Sequence, residues 1–229
     1  MELKYQGKTK DVYQLDNYRV LLKFKDDVTG TDGTFDPGAN TVGLSIDGVG
    51  KSGLKMSTYF FELFNSMGIR THFISSDLDD VSMEARDAYM FGQGLEVICR
   101  YRAVGSFYRR YAPYIKEEGM PLDSLIEITV KDDERGDPLI NQDALIMLGV
   151  LTKEEYEYLT TSTVKICGII KEELAKKGME LYDLKLEFGR DKETNEIMLI
   201  DEVSGGNMRV YKDEVSVKPL ELEQLFLAK

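Results

Sequence analysis

Alternating apolar and polar residues predict strands in the first third of the chain and again further along. The predicted strands cover residues 2–25, with a turn at Asp16–Asn17, and the shorter segments 69–74, 96–104 and 125–130. Such alternation is typical of strands with one buried face. Residues 26–40 are rich in Gly, Asp and Thr, a composition that predicts a loop.

Apolar residues at helical spacing predict helices over 53–68 and 152–178, and a further helix begins at residue 105. The second of these has the clearest ends, because Thr152 can cap it, Glu155 stands at the capping-box position and Gly178 can end it. Strands and helices do not alternate regularly. The predicted fold class is therefore α+β with a largely antiparallel sheet, and a boundary near residue 92 divides it into domains 1–92 and 93–229.

The segment 181–202 combines an apolar face with a charged one. Asp183, Lys185 and Glu187 alternate with apolar residues, and a turn at 192–195 is expected to bring Glu187 opposite Asp201. Two carboxylates held together need a counter-charge, and Mg²⁺ with its preference for oxygen ligands is the natural one. Lys185 could hold a phosphate or a carboxylate. The alternative is a solvated hairpin face with salt bridges.

Two other segments could bind anions. In "YQGKTKDVY", Gly7 allows a close backbone approach while Lys8 and Lys10 supply positive charge, although lysines in a turn are usually only solvated. In "EVICRYRAVGSFYRR", Arg100 and Arg102 share a strand face just before Gly105–Ser106 and a helix start, which suits a phosphate or carboxylate. Two surface arginines are the alternative.

The segment "DGVGKSG" is not a P-loop, because Ser45 stands where that motif requires glycine. Lys51 remains a possible contact from a mobile loop. The single histidine, His72, is expected to have a structural role.

Composition narrows the class of protein. A formal net charge of −12 over 229 residues argues against general nucleic-acid binding, which needs a basic surface. The sequence has no long apolar run and no signal-peptide pattern, so neither a membrane span nor secretion is expected. Cys99 and Cys167 stand far apart in apolar segments, which favours free buried thiols and a cytoplasmic location.

Five segments in this order resemble the SAICAR synthetase family: "GKTKDVY", "TGTDG", "EVICRYRAVGS", "DLKLEFG" and "IDE…R". The resemblance covers residues 4–211. It implies a small antiparallel ATP-binding domain beside a larger α+β domain, distantly like kinases and ATP-grasp enzymes. It also implies a reaction in which ATP activates the carboxylate of carboxyaminoimidazole ribonucleotide as an acyl phosphate and the amine of L-aspartate attacks it.

The resemblance also implies roles for particular residues. The catalytic set would be Lys8, Lys10, Asp32 and Lys185, with Gly7, Lys8, Lys10 and Lys185 at the nucleotide, Arg100, Ser106, Arg209 and Asp183 at the substrate, and Glu187 and Asp201 on Mg²⁺. The amine must lose a proton, and a carboxylate such as Asp32 could take it. A homo-oligomer, dimer or trimer, is expected.

The chain departs from the family pattern after Asp201–Glu202, where Gly205 and Gly206 stand in place of the usual Pro-Asp pair. Asn207 could compensate, or the substrate could differ. Three alternatives therefore stay open: a related ATP-dependent amide ligase with another acid or amine, a small-molecule kinase suggested by the Asp-x-Lys of "DLK", and a nucleotide sensor without catalysis.

Overall fold

The structure is a computed structural model that describes residues 1–31, 34–38 and 41–228. The helices are α1 (Val49–Ser66), α2 (Gly105–Tyr111), α3 (Gln142–Met147), α4 (Lys153–Ala175) and α5 (Pro219–Leu227). The strands of the first half are β1 (Glu2–Gln6), β2 (Lys10–Gln14), β3 (Arg19–Phe24), β4 (Asp27–Thr31), β5 (Thr34–Phe35), β6 (Val42–Ser45), β7 (Phe73–Asp77), β8 (Ser82–Arg86) and β9 (Ala88–Met90). Those of the second half are β10 (Leu95–Arg102), β11 (Pro121–Val130), β12 (Glu180–Asp191), β13 (Ile197–Ile200), β14 (Met208–Lys212) and β15 (Val215–Ser216).

Three antiparallel sheets organise the described part of the chain. The first has the order β1-β2-β3-β8-β7, and a small one has the order β5-β4-β6. The largest has the order β11-β10-β12-β14-β15, with β9 and β13 both pairing with β12. The structure thus agrees with the predicted α+β class and its antiparallel strands.

The apolar face of the largest sheet forms much of the core. Leu184 and Leu186 on β12 are fully buried, and α4 packs against β12 and β10. Helix α1 contributes Phe60, Phe61 and Phe64, all fully buried, and packs against α5. The charged face of β12 is left to line the site. No helix in the described ranges is long and apolar enough to cross a membrane.

Several predicted elements are confirmed with shifted ends. Helix α4 has the full capping box of Thr152 and Glu155, and Gly178 follows it with a φ of 71°. Helix α1 begins four residues before the prediction, so the segment resembling a P-loop forms its first turns and Lys51 lies inside a helix. Cys99 and Cys167 are free and buried.

Two predictions about strands and loops are wrong. Residues 26–40 contain β4 and β5, because Thr31 pairs with Thr34 while Val28 and Thr29 pair with β6. The strand predicted at 69–74 begins only at Phe73. The sequence analysis also missed α3, α5, β6, β8, β9, β14 and β15, which are short or irregular in their apolar pattern.

The register of the 181–202 hairpin also differs from the prediction. Glu187 pairs with Ile200 rather than with Asp201, which lies just beyond the end of β13. Asp201 has a φ of 70°, and this left-handed conformation breaks the alternation of side chains. Glu187 and Asp201 nevertheless line the same cavity.

Candidate active site

Two cavities meet on the charged side of the largest sheet. The lysine cavity, of about 150 Å³, is lined by Lys8, Lys10, Lys131 and Lys185 together with carboxylates and the Gly7 turn. The arginine cavity, of about 270 Å³, is lined by Arg100, Arg109, Arg110 and Arg209 with Ser106 and Asp183. Both are lined by Pro37, Glu96, Asp137, Lys185 and Asn207, which we call the junction.

The turn before β2 brings Lys10 into the lysine cavity. The Gly7 amide donates to the Lys10 carbonyl over 2.9 Å, and a Cβ at position 7 would lie only 2.5 Å from that oxygen. Glycine is thus required by the turn itself. Buried Lys10 ion-pairs with Glu202, and its Nζ lies 3.1 Å from Asp201 Oδ1. Burial opposes the charge, but Asp201 and Glu202 outweigh it and raise the pKa of the Lys10 ammonium.

Lys185 projects from β12 toward the junction. Its Nζ donates to Glu96 Oε1 over 2.6 Å. Burial opposes its charge, but Glu96 and Glu187 outweigh burial and hold the pKa of Lys185 above its usual value. The lysine therefore stays charged at neutral pH and can meet a phosphate. Lys8, at the cavity mouth, contacts Asp133 over 2.5 Å.

Glu187 and Asp201 differ in their electrostatic surroundings. Burial and then the nearby Asp201 raise the pKa of the Glu187 carboxyl, although Lys131 Nζ contacts it over 2.7 Å. Burial works against ionisation of Asp201 too, yet Lys10 and Lys131 lower the pKa of its carboxyl to about 2. Two carboxylates so placed have the chemistry of a cation site.

The residues that line the lysine cavity carry more negative than positive charge. Besides its four lysines, the described lining contains six carboxylates: Glu96, Asp133, Asp137, Glu187, Asp201 and Glu202. With all groups ionised, the excess is two negative charges. A bound polyphosphate would be repelled unless a divalent cation accompanied it. Among the described residues no group of three His, Cys, Asp or Glu side chains forms a closed metal site. One or two carboxylates with phosphate and water fit Mg²⁺.

The arginine cavity is built around a buried ion network. Arg100 donates from Nε to Glu127, from Nη1 to Asp183 and from Nη2 to Ser106, over 2.6, 2.7 and 3.0 Å. Arg209 donates to the same Asp183 oxygen over 2.7 Å and to Asp36 over 2.5 Å. The predicted residues Arg100, Ser106, Asp183 and Arg209 thus lie together.

Arg102 does not join them. The pairing of β10 with β11 shifts between Arg100 and Arg102, and Arg102 contacts Glu180 outside both cavities. The predicted pairing of Arg100 and Arg102 in one anion cradle is therefore wrong. Arg109 is the most open guanidinium of the arginine cavity, with 61% of its side chain exposed.

The Asn207 side chain bonds to its own loop and to β12. Its Nδ2 donates to the carbonyls of Lys185 and Glu202, over 3.1 and 2.6 Å, and its Oδ1 accepts from the Ser204 amide over 3.0 Å. Its amide therefore holds the loop that replaces Pro-Asp, and both polar atoms of the side chain already have partners.

Some residues that line the cavities were not predicted from the sequence, and one predicted residue lies outside the described part of the chain. Glu96, Lys131, Asp137 and Arg109 line the cavities without having been predicted. Lys131 could have been found, because it directly follows a predicted strand. Asp32 lies outside the described residues. Lys51 is not among the described residues that line either cavity.

Comparisons with known proteins identify relatives of this chain. A sequence model described as SAICAR synthetase matches residues 3–224. The chain is 57% identical to a phosphoribosylaminoimidazole-succinocarboxamide synthase of Clostridium tetani, covering 99% of this chain and 100% of that protein. It is 36% identical to the synthase of Finegoldia magna, covering 95% and 89%.

Solved structures are similar over nearly the full length. A SAICAR synthetase in complex with ADP aligns with a TM-score of 0.86 at 30% identity, covering 98% of this chain and 97% of that one. The synthase of Ehrlichia chaffeensis aligns with a TM-score of 0.82 at 28% identity, covering 97% and 90%.

Proposed function

The chain belongs to the SAICAR synthetase family, and we propose that its two adjoining cavities bind the nucleotide and the ribonucleotide of that family's reaction. The activity is ATP-dependent carbon–nitrogen ligation in purine biosynthesis. L-aspartate is joined to carboxyaminoimidazole ribonucleotide, and ATP is converted to ADP and phosphate. We assign the nucleotide to the lysine cavity and the ribonucleotide to the arginine cavity.

The junction between the cavities carries this proposal. An acyl phosphate forms only if the terminal phosphate of ATP reaches the substrate carboxylate. Lys185 lines both cavities, is partly buried and charged, and lies close to the metal-type carboxylates. An ammonium group at this point can neutralise the transferring phosphoryl group and the carboxylate that attacks it.

Lys8 and Lys10 are proposed to bind the nucleotide phosphates from the turn after β1. Lys131, directly after β11, adds a third ammonium to the lining of the lysine cavity. Their present partners are carboxylates, and a bound nucleotide with its cation would exchange these ion pairs for phosphate contacts.

Glu187 and Asp201 are proposed to hold Mg²⁺ in this cavity. The support is the repulsion between buried Glu187 and partly buried Asp201, and the excess of negative charge around them. When bound, the ion would supply positive charge beside the nucleotide phosphates.

Arg209, Ser106 and Arg109 are proposed to bind the anionic groups of the ribonucleotide. Arg109 is suited to a phosphate because it is largely exposed and its only ion-pair contact among the described residues is 3.8 Å long. Arg100 and Asp183 are proposed to support these groups from beneath, since every nitrogen of Arg100 already donates to a neighbour.

Domain organisation, oligomeric state and location also stay proposals. Division near residue 92 is supported by the separation of the β1-β2-β3-β8-β7 sheet from the largest sheet, although β9 joins the latter. A homo-oligomer, dimer or trimer, and a cytoplasmic location are proposed from the family and from the two free thiols. The kinase, the sensor and the related ligase are not favoured.

Phosphate release tests the function. Purified protein is incubated with ATP, Mg²⁺, L-aspartate and carboxyaminoimidazole ribonucleotide, and each is omitted in turn. We expect phosphate release to require all four, with the succinocarboxamide product identified by mass spectrometry. Phosphate transfer to the ribonucleotide without release would indicate a kinase, and release with a different amine would indicate the related ligase.

A pair of lysine variants links that activity to the site. Lys185→Met is expected to lower turnover at least a hundredfold, because the junction loses its cation. Lys165→Met, at an exposed position of α4, is the control and should keep full turnover. Equal activity in both variants would overturn the assignment of the reaction to the junction.

A further inference from the structure

The junction contains one carboxylate oxygen that is not engaged. Glu96 accepts from Lys185 on Oε1 and from Thr129 on Oε2, over 2.6 and 3.0 Å. Asn207 bonds to its own loop and to β12. Asp137 differs, because only its Oδ1 accepts a hydrogen bond, whereas Oδ2 enters no hydrogen bond or ion pair with the described residues.

The backbone around Asp137 fixes that carboxylate. The Asp132 amide donates to Asp137 Oδ1 over 2.7 Å, and the Asp137 amide donates back to the Asp132 carbonyl over 3.0 Å. Asp137 has a φ of 47°, a left-handed conformation that aspartate tolerates better than most residues. One oxygen is thus held while the residue lines both cavities.

The charges around Asp137 favour proton uptake. It is faced by Glu96 on β10, by Asp133 in the preceding turn and by Lys185 on β12. Burial first, and then Glu96 and Asp133, raise the pKa of the Asp137 carboxyl, while Lys185 and the Asp132 amide act in the opposite direction. A raised pKa makes the ionised form of a carboxylate a stronger base.

We propose that Asp137 is the general base that deprotonates the α-ammonium group of L-aspartate at the junction. This rests on the proposed function. One N–H bond of the ammonium breaks and its proton moves to Asp137 Oδ2. The freed electron pair forms the bond to the acyl carbon, and the carbon–oxygen bond to phosphate breaks. The second proton lost from nitrogen leaves with the phosphate as HPO₄²⁻, and Asp137 returns its proton to water.

The choice of nucleophile tests this role. Hydroxylamine is largely unprotonated at neutral pH, so it can attack the acyl phosphate without a base. Asp137→Asn keeps an oxygen for the Asp132 amide and tolerates the same backbone conformation. We expect it to lower aspartate-dependent phosphate release about a hundredfold or more. Hydroxylamine-dependent release with the same ribonucleotide should stay within about threefold of the wild type.

A pH profile provides a second measure in case hydroxylamine is a poor substrate. In Asp137→Asn, kcat/KM for aspartate should rise with pH in proportion to the free amine, about tenfold per pH unit over several units. Wild-type kcat/KM should rise less steeply over that range. Asp213→Asn is the matched control, because Asp213 also has a positive φ, of 49°, but lies exposed in the β14–β15 turn.

Several outcomes would overturn the proposal. If Asp137→Asn lowers phosphate release equally with both nucleophiles, Asp137 acts in acyl phosphate formation or in stabilising the fold. An unchanged rate with aspartate would exclude it as the base, and so would a nucleophile-specific loss found in Asp32→Asn instead. Wild-type protein that releases no phosphate with either nucleophile would contradict the proposed function itself.

Discussion

Arg100 and Asp183 lie directly opposite each other on β10 and β12, and Nη1 of the arginine donates to Oδ2 of the aspartate over 2.7 Å. Both side chains are almost inaccessible to water. The same oxygen accepts from Arg209, which pairs with Asp183 from the other side on β14. The arginine cavity therefore rests on a buried ion network that is complete without substrate.

Replacing Arg100 should destabilise the fold. Arg100→Met leaves buried Glu127 and Asp183 each without one cationic partner, and we expect the free energy of unfolding to fall by about 3 kcal/mol in urea denaturation. Arg102→Met is the control, because Arg102 and its partner Glu180 are both part-exposed; a loss of about 0.5 kcal/mol is expected there. Equal losses would show that burial of the Arg100 network does not matter.

Removing one metal-type carboxylate should change how nucleotide binding depends on Mg²⁺. Glu187→Gln keeps the size of the side chain but removes its charge, so the Mg²⁺-dependent gain in ADP affinity should fall about tenfold. Calorimetric titration with ADP, with and without Mg²⁺, measures that gain. Glu193→Gln, in the exposed hairpin turn, should leave it unchanged. If Glu187→Gln kept the full Mg²⁺-dependent gain in ADP affinity, the ion would be bound by other residues.

The charged face of β12 could be predicted from sequence because alternation alone determines it. Asp183, Lys185 and Glu187 share a face whichever strands flank β12. The position of Asp201 relative to Glu187 could not be obtained in this way, because it depends on a left-handed residue at the end of the strand.

The missing members of the site come from strand neighbours that local sequence does not specify. Glu96 and Lys131 reach the cavities because β10 lies between β11 and β12, a tertiary arrangement. Asp137 depends on the reciprocal hydrogen bonds of a polar turn, whose composition indicated only a loop. The hydrogen bonds that Arg100 makes with each of its nitrogens could not be inferred from its position in the sequence pattern.

The contact between Gly205 and Pro219 should make the Gly-Gly segment sensitive to a single methyl group. A Cβ at Gly205 would lie 2.7 Å from the Pro219 Cα at the start of α5, so Gly205→Ala must displace that helix. We expect a loss of about 1–3 kcal/mol in urea denaturation. In α4, a Cβ at Gly168 would meet nothing within 4 Å, so Gly168→Ala should stabilise by about 0.5–1 kcal/mol. If Gly205→Ala and Gly168→Ala changed the free energy of unfolding equally, α5 would be able to shift without loss of stability.

The buried His72 should make stability depend on pH below neutrality. Burial and, to a smaller extent, Lys10 lower the pKa of its imidazole to about 4, against the opposing effect of Asp201. An unfolded chain binds the proton near pH 6.5, so the folded state is favoured fully above that pH and loses stability as pH falls toward 4. The loss should reach about 2 kcal/mol at pH 5.

Because His72 is the only histidine in the sequence, His72→Gln removes this contribution alone. Urea denaturation of both proteins at pH 7 and pH 5 measures it, and parallel losses would show that the buried imidazole does not titrate as described.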